Sequence, residues 1–300
     1  MREALLCSSC DVRFPCVGGI ADFSEGHYYD NFTGPEVLSE ENLRGLANEK
    51  EAARMEDFYL PILNRIAKDE AASVAPLRVL DSGCGNGDSV DFLNRNGIEA
   101  WGHDLSALRK WQWRERGRRD RLVVADGASL PFSDGSFHVV ISSGVLEHIG
   151  VSEEGGGRYK VQALPDRDER RGRYLAELLR IMTPAGSLFL DFPNGSFPID
   201  FWHGVKPGGA RFHSPWEGFL PTVPEVRALC RRIDRKLVVS VRSPRGRLRF
   251  KQVSSHWYGR VFRTPMAAVH HLMSTSYFGF LAATPINPYL VIEVERSAAK

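Results

Sequence analysis

A doubly wound α/β fold with a seven-stranded, mostly parallel sheet is the architecture this 300-residue sequence predicts. Three observations carry it. Short apolar, β-rich runs alternate with amphipathic runs of about 10–15 residues from Leu77 onward. A glycine-rich turn, "DSGCGNG", directly follows the first such run, and the second run, "IEAWGHD", ends on an acid, Asp104.

The elements follow in order. "LRVLD" is the expected first strand, and a helical stretch from Asn86 to Asn96 follows its glycine turn. "IEAWGHD" is the second strand, with a helical stretch from Ser106 to Arg119, and "RLVVAD" is the third. "FHVVISS" is the fourth and runs into "GVLEHI"; the helix-like "RGRYLAELLRIM" then leads to "GSLFLDFPN", the fifth. A helix near Pro224 to Ile233 precedes "KLVVSV", and "PYLVIEVE" closes the sheet as an antiparallel strand near one edge. This main domain spans residues 77–300, with polar inserts at about 151–172 and 195–222. Ahead of it, residues 1–35 form a small segment without sustained period, and residues 36–76 are leading helices in which Pro61 marks a break or a new start.

Composition narrows the class. With 43% hydrophobic and 25% charged residues the chain is an ordinary globular one, which excludes disorder and fibres. A formal charge of +2 gives no argument for a nucleic-acid partner, although ten Lys and Arg between Arg227 and Lys251 face one acid, Asp234. No apolar run of about 18 residues is present and the N-terminus lacks a signal-peptide core, so a cytoplasmic location is expected. Five cysteines, one inside the glycine turn, do not make a disulfide framework. Oligomeric state has no signature in the sequence.

The glycine turn selects among ligands. A triphosphate loop needs a lysine that reaches the terminal phosphates, and this turn has none. A dinucleotide turn needs Gly-x-Gly-x-x-Gly, but here Gly83, Gly85 and Gly87 alternate and Asp88 stands where a pyrophosphate would sit. Asp81, just before the turn, favours a ligand with positive charge at this point.

"VLDSGCGNG" resembles the first motif of the class I S-adenosylmethionine-dependent methyltransferases. The resemblance continues through "GHDLS", "VVADGASLPFSDGSFHVVISSGVLEHI" and "IMTPAGSLFLDFPN", covering roughly Leu77 to Asn194 in the expected order. It implies S-adenosylmethionine as cofactor, with Gly83, Gly85 and Gly87 letting the backbone approach it. By the same resemblance Asp81 places the amino group of the methionine part, and Asp104 with Leu105 holds the ribose. Asp126 and Gly127 meet the adenine, and Ser142 lies beside the methyl donor.

Methyl transfer from a sulfonium needs alignment and, for some acceptors, a base. His148 in "GVLEHI" is the base candidate, because histidine titrates near neutrality; a loop-holding role for "LEH" stands beside it. The insert after the fifth strand is the expected acceptor cap, with Asn194, His203 and His213 as substrate-binding candidates; a structural loop held by aromatic packing is the other reading. "NGSFPIDFWHG" and "RFHSPWEGFLP" are similar to segments of bacterial methyltransferases encoded with polysaccharide-modifying enzymes, which points to a small-molecule or glycan-type acceptor. An RNA methyltransferase and a non-catalytic S-adenosylmethionine-binding module are the alternatives. "CSSC" followed by "RFPCVGGIADF" resembles half of a short zinc ribbon, but a structural zinc site wants four ligands, so a degenerate ribbon is expected and no metal is assigned. "TPMAAVHHLMSTSYFGFLAATP" is expected to be a buried helix or an acceptor lid, with weak contact to a membrane surface as a further reading.

Overall fold

The computed structural model describes residues 4–7, 11–39, 53–69, 76–154, 160–203, 210–246 and 257–297. The chain divides into two compact units, Met1–Ile141 with Glu177–Gly186, and Ser142–Ala176 with Ser187–Lys300.

In the first unit, β1 (Ala4–Leu6), β2 (Arg13–Val17) and β3 (Ile20–Asp22) are followed by α1 (Leu60–Asp69). Pro61 does not break the chain there. A π-helical turn at Met55–Tyr59, in which Leu60 N–H donates to the Met55 carbonyl, runs directly into α1. The Rossmann-like repeat then begins: β4 (Arg78–Ser82), α2 (Asp88–Arg95), β5 (Glu99–Asp104), α3 (Ala107–Gln112), β6 (Leu122–Val124) and β7 (Phe137–Ser143). The strand order is β1-β2-β3-β6-β5-β4-β7. Pairing is parallel between β4 and β5, β5 and β6, and β6 and β3. Such strands are covered on both faces, so they read as continuous apolar runs, and Val79, Leu80, Val139 and Val140 are fully buried.

The second unit carries a hairpin, β8 (Val151–Glu154) with β9 (Lys160–Ala163), and most of α4 (Arg167–Ile181). β10 (Met182–Pro193) begins in the first unit, where Gly186 lies against the His138 carbonyl, and continues into the second. Next come a short ladder of β11 (Ile199–Asp200) and β12 (Arg211–Phe212), then α5 (Val223–Ile233), β13 (Leu237–Arg242), α6 (Trp257–Met273) and β14 (Tyr289–Arg296). β14 is antiparallel to both β10 and β13, with β13 outermost. α5 starts cleanly because the Thr222 hydroxyl caps the Glu225 N–H at 3.3 Å and Pro224 occupies its first turn.

All seven expected strands form, with β14 antiparallel as the sequence predicts. Two expectations need correction, and one insert gains structure. Residues 1–35 were expected as an appendage, yet β3 joins the parallel sheet beside β6, with Ala21 opposite Val123. Asp22 fixes that junction: it accepts from the Lys110 ammonium and the Tyr28 hydroxyl, both at 2.7 Å. The 151–172 insert, expected as a surface insertion, contains a β-hairpin and the first turn of α4. α6 is not a buried helix: its Val261 and Leu272 are exposed, and among its described side chains only His270 and Met273 are buried. Small residues such as Ala267 and Ala268 give it too narrow an apolar stripe to bury a face. Of the basic stretch, Arg242 pairs with Glu293, while residues 247–256 lie outside the described residues, as do Ser8, Ser9 and Cys10 of "CSSC".

Two outcomes test this packing. A methyl group on Gly102, in the middle of β5, would sit 2.7 Å from Cys84 Sγ and 2.7 Å from Val90 Cγ2. Gly102→Ala should therefore cost about 1–3 kcal/mol, read as a lower urea midpoint; an unchanged midpoint contradicts the packing. His103 is buried, its Nδ1 donating to the Ala125 carbonyl at 3.3 Å and its Nε2 accepting from the Ser82 hydroxyl at 2.7 Å. Burial lowers its pKa to about 4, so between the unfolded value of 6.5 and about 4 the unfolded chain binds the extra proton. Thermal stability should fall as pH drops from 7 to 5, and less steeply in His103→Asn; equal slopes would contradict this. His270, also held near 4 by burial, supplies a residual slope in the variant.

Candidate functional site

Two constellations of polar groups stand out, one in each unit.

In the first unit the turn after β4 places Gly83, Gly85 and Gly87 at φ of 76°, 56° and 81°, a region that suits glycine. The Gly83 and Cys84 N–H groups both donate to the His103 carbonyl, at 2.9 and 3.0 Å. Gly85 N–H donates to Asp104 Oδ2 at 3.0 Å, and Ser106 N–H to Asp104 Oδ1 at 3.2 Å. The turn is thus tied to the end of the neighbouring strand. From the other side the Trp113 indole N–H donates to the Gly85 carbonyl at 2.9 Å, and Arg116 Nε to the Asn86 carbonyl at 2.7 Å. Arg116 also pairs with Asp88.

The two acids differ in their surroundings. Asp81 is buried, accepts from the Ser89 hydroxyl, and faces the Arg54 guanidinium at 3.4 Å. Asp104 is 7% exposed, and burial raises its pKa against the opposing pull of Arg109, whose Nε lies 3.8 Å away. Leu105 is half-buried and its carbonyl accepts from Tyr29 N–H at 3.2 Å. Asp126 is exposed and closes its own turn by accepting from Ala128 N–H at 2.9 Å; Gly127, beside it, is partly exposed. Asp30, from the N-terminal segment, accepts from the Ser106 hydroxyl and from Ala107 N–H, so it caps α3 where that helix leaves Asp104.

In the second unit the loop after β7 carries Glu147 and His148, and the β11 end carries Asp200 and His203. The His148 and His203 rings meet edge to face at 5.2 Å, and both lie on the buried Phe219 ring, at 5.6 and 4.8 Å. Glu153 Oε1 lies 2.6 Å from His148 Nδ1, and Asp200 Oδ2 lies 3.0 Å from His203 Nδ1. Burial works to raise the Asp200 carboxyl, but the hydrogen bonds of His203 and the Trp202 N–H hold it down at about 2. Arg211 bonds Asp200 at 3.1 Å and Glu217 at 2.6 Å. Glu147 is 1% exposed, and burial raises its pKa.

One buried guanidinium organises this loop. Arg171 on α4 has no solvent exposure and donates to the carbonyls of Glu147 at 3.1 Å, Ile149 at 3.2 Å and Phe219 at 2.6 Å. Glu225 neutralises it at 2.6 Å. Sequence reasoning missed Arg171, although it lies on the stripe of Tyr174, Leu175 and Leu178, where an arginine must be satisfied internally. Arg54, Arg116 and Asp30 were also missed, because no local motif connects them to the glycine turn.

Three further expected residues, Ser142, Asn194 and His213, make the following contacts. The Ser142 hydroxyl is 2.7 Å from the Tyr174 hydroxyl, both buried. Asn194 spends its amide hydrogens on the carbonyls of Thr284 and Asn287, at 3.2 and 2.8 Å, and its oxygen accepts from Ser196 N–H. That is a buried bracket between β10 and the chain before β14, and the expected substrate contact of Asn194 is withdrawn. His213 N–H donates to the Pro198 carbonyl at 3.2 Å, holding the β11–β12 ladder.

The chain is 30% identical over 136 residues to a demethylmenaquinone methyltransferase of Thermus thermophilus, covering 43% of this chain and 53% of that one. It is 31% identical over 163 residues to uncharacterized methyltransferases of two Mycobacterium strains, covering 49% of this chain and 56% of theirs. The chain thus spans about half the length of the curated relatives it matches. Among solved structures, an S-adenosylmethionine-dependent methyltransferase of Mesorhizobium loti aligns at 15% identity and a TM-score of 0.46, over 79% of this chain and 96% of that one. The family model described as a methyltransferase domain matches residues 80–190, the segment that runs from β4 and its glycine turn to β10.

Proposed function

We propose that this protein transfers the methyl group of S-adenosylmethionine to a hydroxyl or other nucleophile of a small-molecule, glycan or lipid-linked acceptor. The observation that carries the reading is the glycine turn at 83–87, held open by Asp104 within a segment that matches the methyltransferase-domain family. When bound, S-adenosylmethionine supplies a sulfonium-activated methyl group, so the protein's task is binding, alignment and acceptor activation.

The residues fit such a ligand. Asp104 engages one N–H with each oxygen, and a carboxylate has about four acceptor positions, so it retains capacity for both ribose hydroxyls. Its negative charge suits a cationic ligand better than a pyrophosphate. Asp81 is engaged by Arg54 and Ser89, and its proposed contribution is to hold the turn through the start of α2. Gly83, Gly85 and Gly87 give the ligand access to backbone; Leu105, Asp126 and Gly127 are proposed for the adenosine, and Ser142 for the methyl end. His148 is proposed as the group that activates the acceptor, with His203 and His213 as neighbouring polar contacts.

Calorimetry tests the donor side. The intact chain should bind S-adenosylmethionine, and Asp104→Ala should weaken binding at least tenfold, since a hydrogen bond to a charged group is worth about 1.5–3 kcal/mol. No binding by the intact chain, or equal binding by the variant, would contradict the reading. Binding without turnover on any hydroxyl acceptor would favour the non-catalytic module instead.

A further inference from the structure

Glu147, His148 and His203 each present one ligating atom, and these atoms lie within 4.8 Å of one another. We propose that these three side chains form a binding site for a single divalent transition-metal ion of the zinc type. Two imidazoles and a carboxylate are a donor set that zinc and its neighbours prefer, and three protein ligands leave a position open for an oxygen of the substrate.

The surroundings are built for it. Glu147 is 1% exposed, and its Oε2 has no hydrogen-bond partner. An anion buried in this way costs several kcal/mol, and a cation beside it removes that cost. Each histidine has its Nδ1 on a carboxylate, His148 on Glu153 at 2.6 Å and His203 on Asp200 at 3.0 Å. This is the outer arrangement that fixes a ring with Nε2 as the ligating nitrogen. The Phe219 ring supports both imidazoles, and Arg171 fixes the backbone of Glu147 and Phe219 together. The nearby guanidinium of Arg211 is neutralised by Asp200 and Glu217. Ligand atoms around a tetrahedral ion at about 2.1 Å stand about 3.4 Å apart, so binding draws the three groups together by up to about 1.4 Å.

The ion's use rests on the methyl-transfer reading: it would hold an acceptor hydroxyl at its open position and lower that hydroxyl's pKa, so that His148 would activate the acceptor as a ligand of the ion and not as a base. The binding itself does not rest on it. The full chain, stripped with a chelator, should take up zinc on calorimetric titration with zinc sulfate. Glu147→Gln, which keeps side-chain volume, and His203→Ala should each remove one equivalent of bound zinc, while Glu153→Gln weakens binding roughly tenfold. Circular dichroism monitors folding, and Glu147→Gln alone decides where His203→Ala does not fold. No zinc uptake at micromolar concentration, or uptake unchanged in Glu147→Gln, would overturn the site. Zinc uptake lost in the variants from a chain that fails to bind S-adenosylmethionine would uphold the metal site and remove the methyl-transfer reading.

Discussion

The hydrogen bond from Gly85 N–H to the Asp104 carboxylate is the contact on which the first unit's arrangement depends. It joins the turn after β4 to the end of β5, and the His103 carbonyl reinforces the join by accepting from Gly83 and Cys84. Three positive φ values in a row of alternating glycines are tolerable only without side chains, and the join repays that conformational freedom. The close approach is made possible by Gly102, whose missing side chain leaves room for Cys84 and Val90 beneath the turn. In a dinucleotide-binding turn the last glycine provides such closeness from within the turn. Here part of it is provided from the neighbouring strand.

The second unit solves a different problem. Its loop after β7 and its 218–220 segment carry carbonyls without ladder partners, which must be satisfied otherwise. Arg171 does this for four carbonyls at once, Glu147, Ile149, Gly218 and Phe219, and is itself neutralised by Glu225, which also occupies the first turn of α5. A buried arginine with all its bonds made is tolerable where a half-satisfied one is not. The consequence is a fixed floor on which Glu147, His148, His203 and Phe219 meet.

Much of the fold was legible because parallel strands are buried on both faces and so read as uninterrupted apolar runs. "FHVVISS" and "PYLVIEVE" became β7 and β14 almost residue for residue. The glycine turn was legible because its spacing is local. The N-terminal strands were not, since β3 has three residues and enters the parallel sheet by pairing with β6, about a hundred residues away. The cluster around His148 was half legible. His148 and His203 each drew notice, but sequence spacing gave no reason to unite residues 55 positions apart, nor to set Glu153 and Asp200 beside them. Asn194 drew notice as a polar residue after a strand, and tertiary structure used it as a bracket instead.

Hydrogen exchange of the full chain, with and without S-adenosylmethionine, tests the central claim that the turn at 83–87 and the end of β5 form the donor site. The account predicts slower amide exchange in residues 83–87 and 104–107 when the ligand is present. Unchanged exchange there, with slowing confined to residues 211–219, would contradict it.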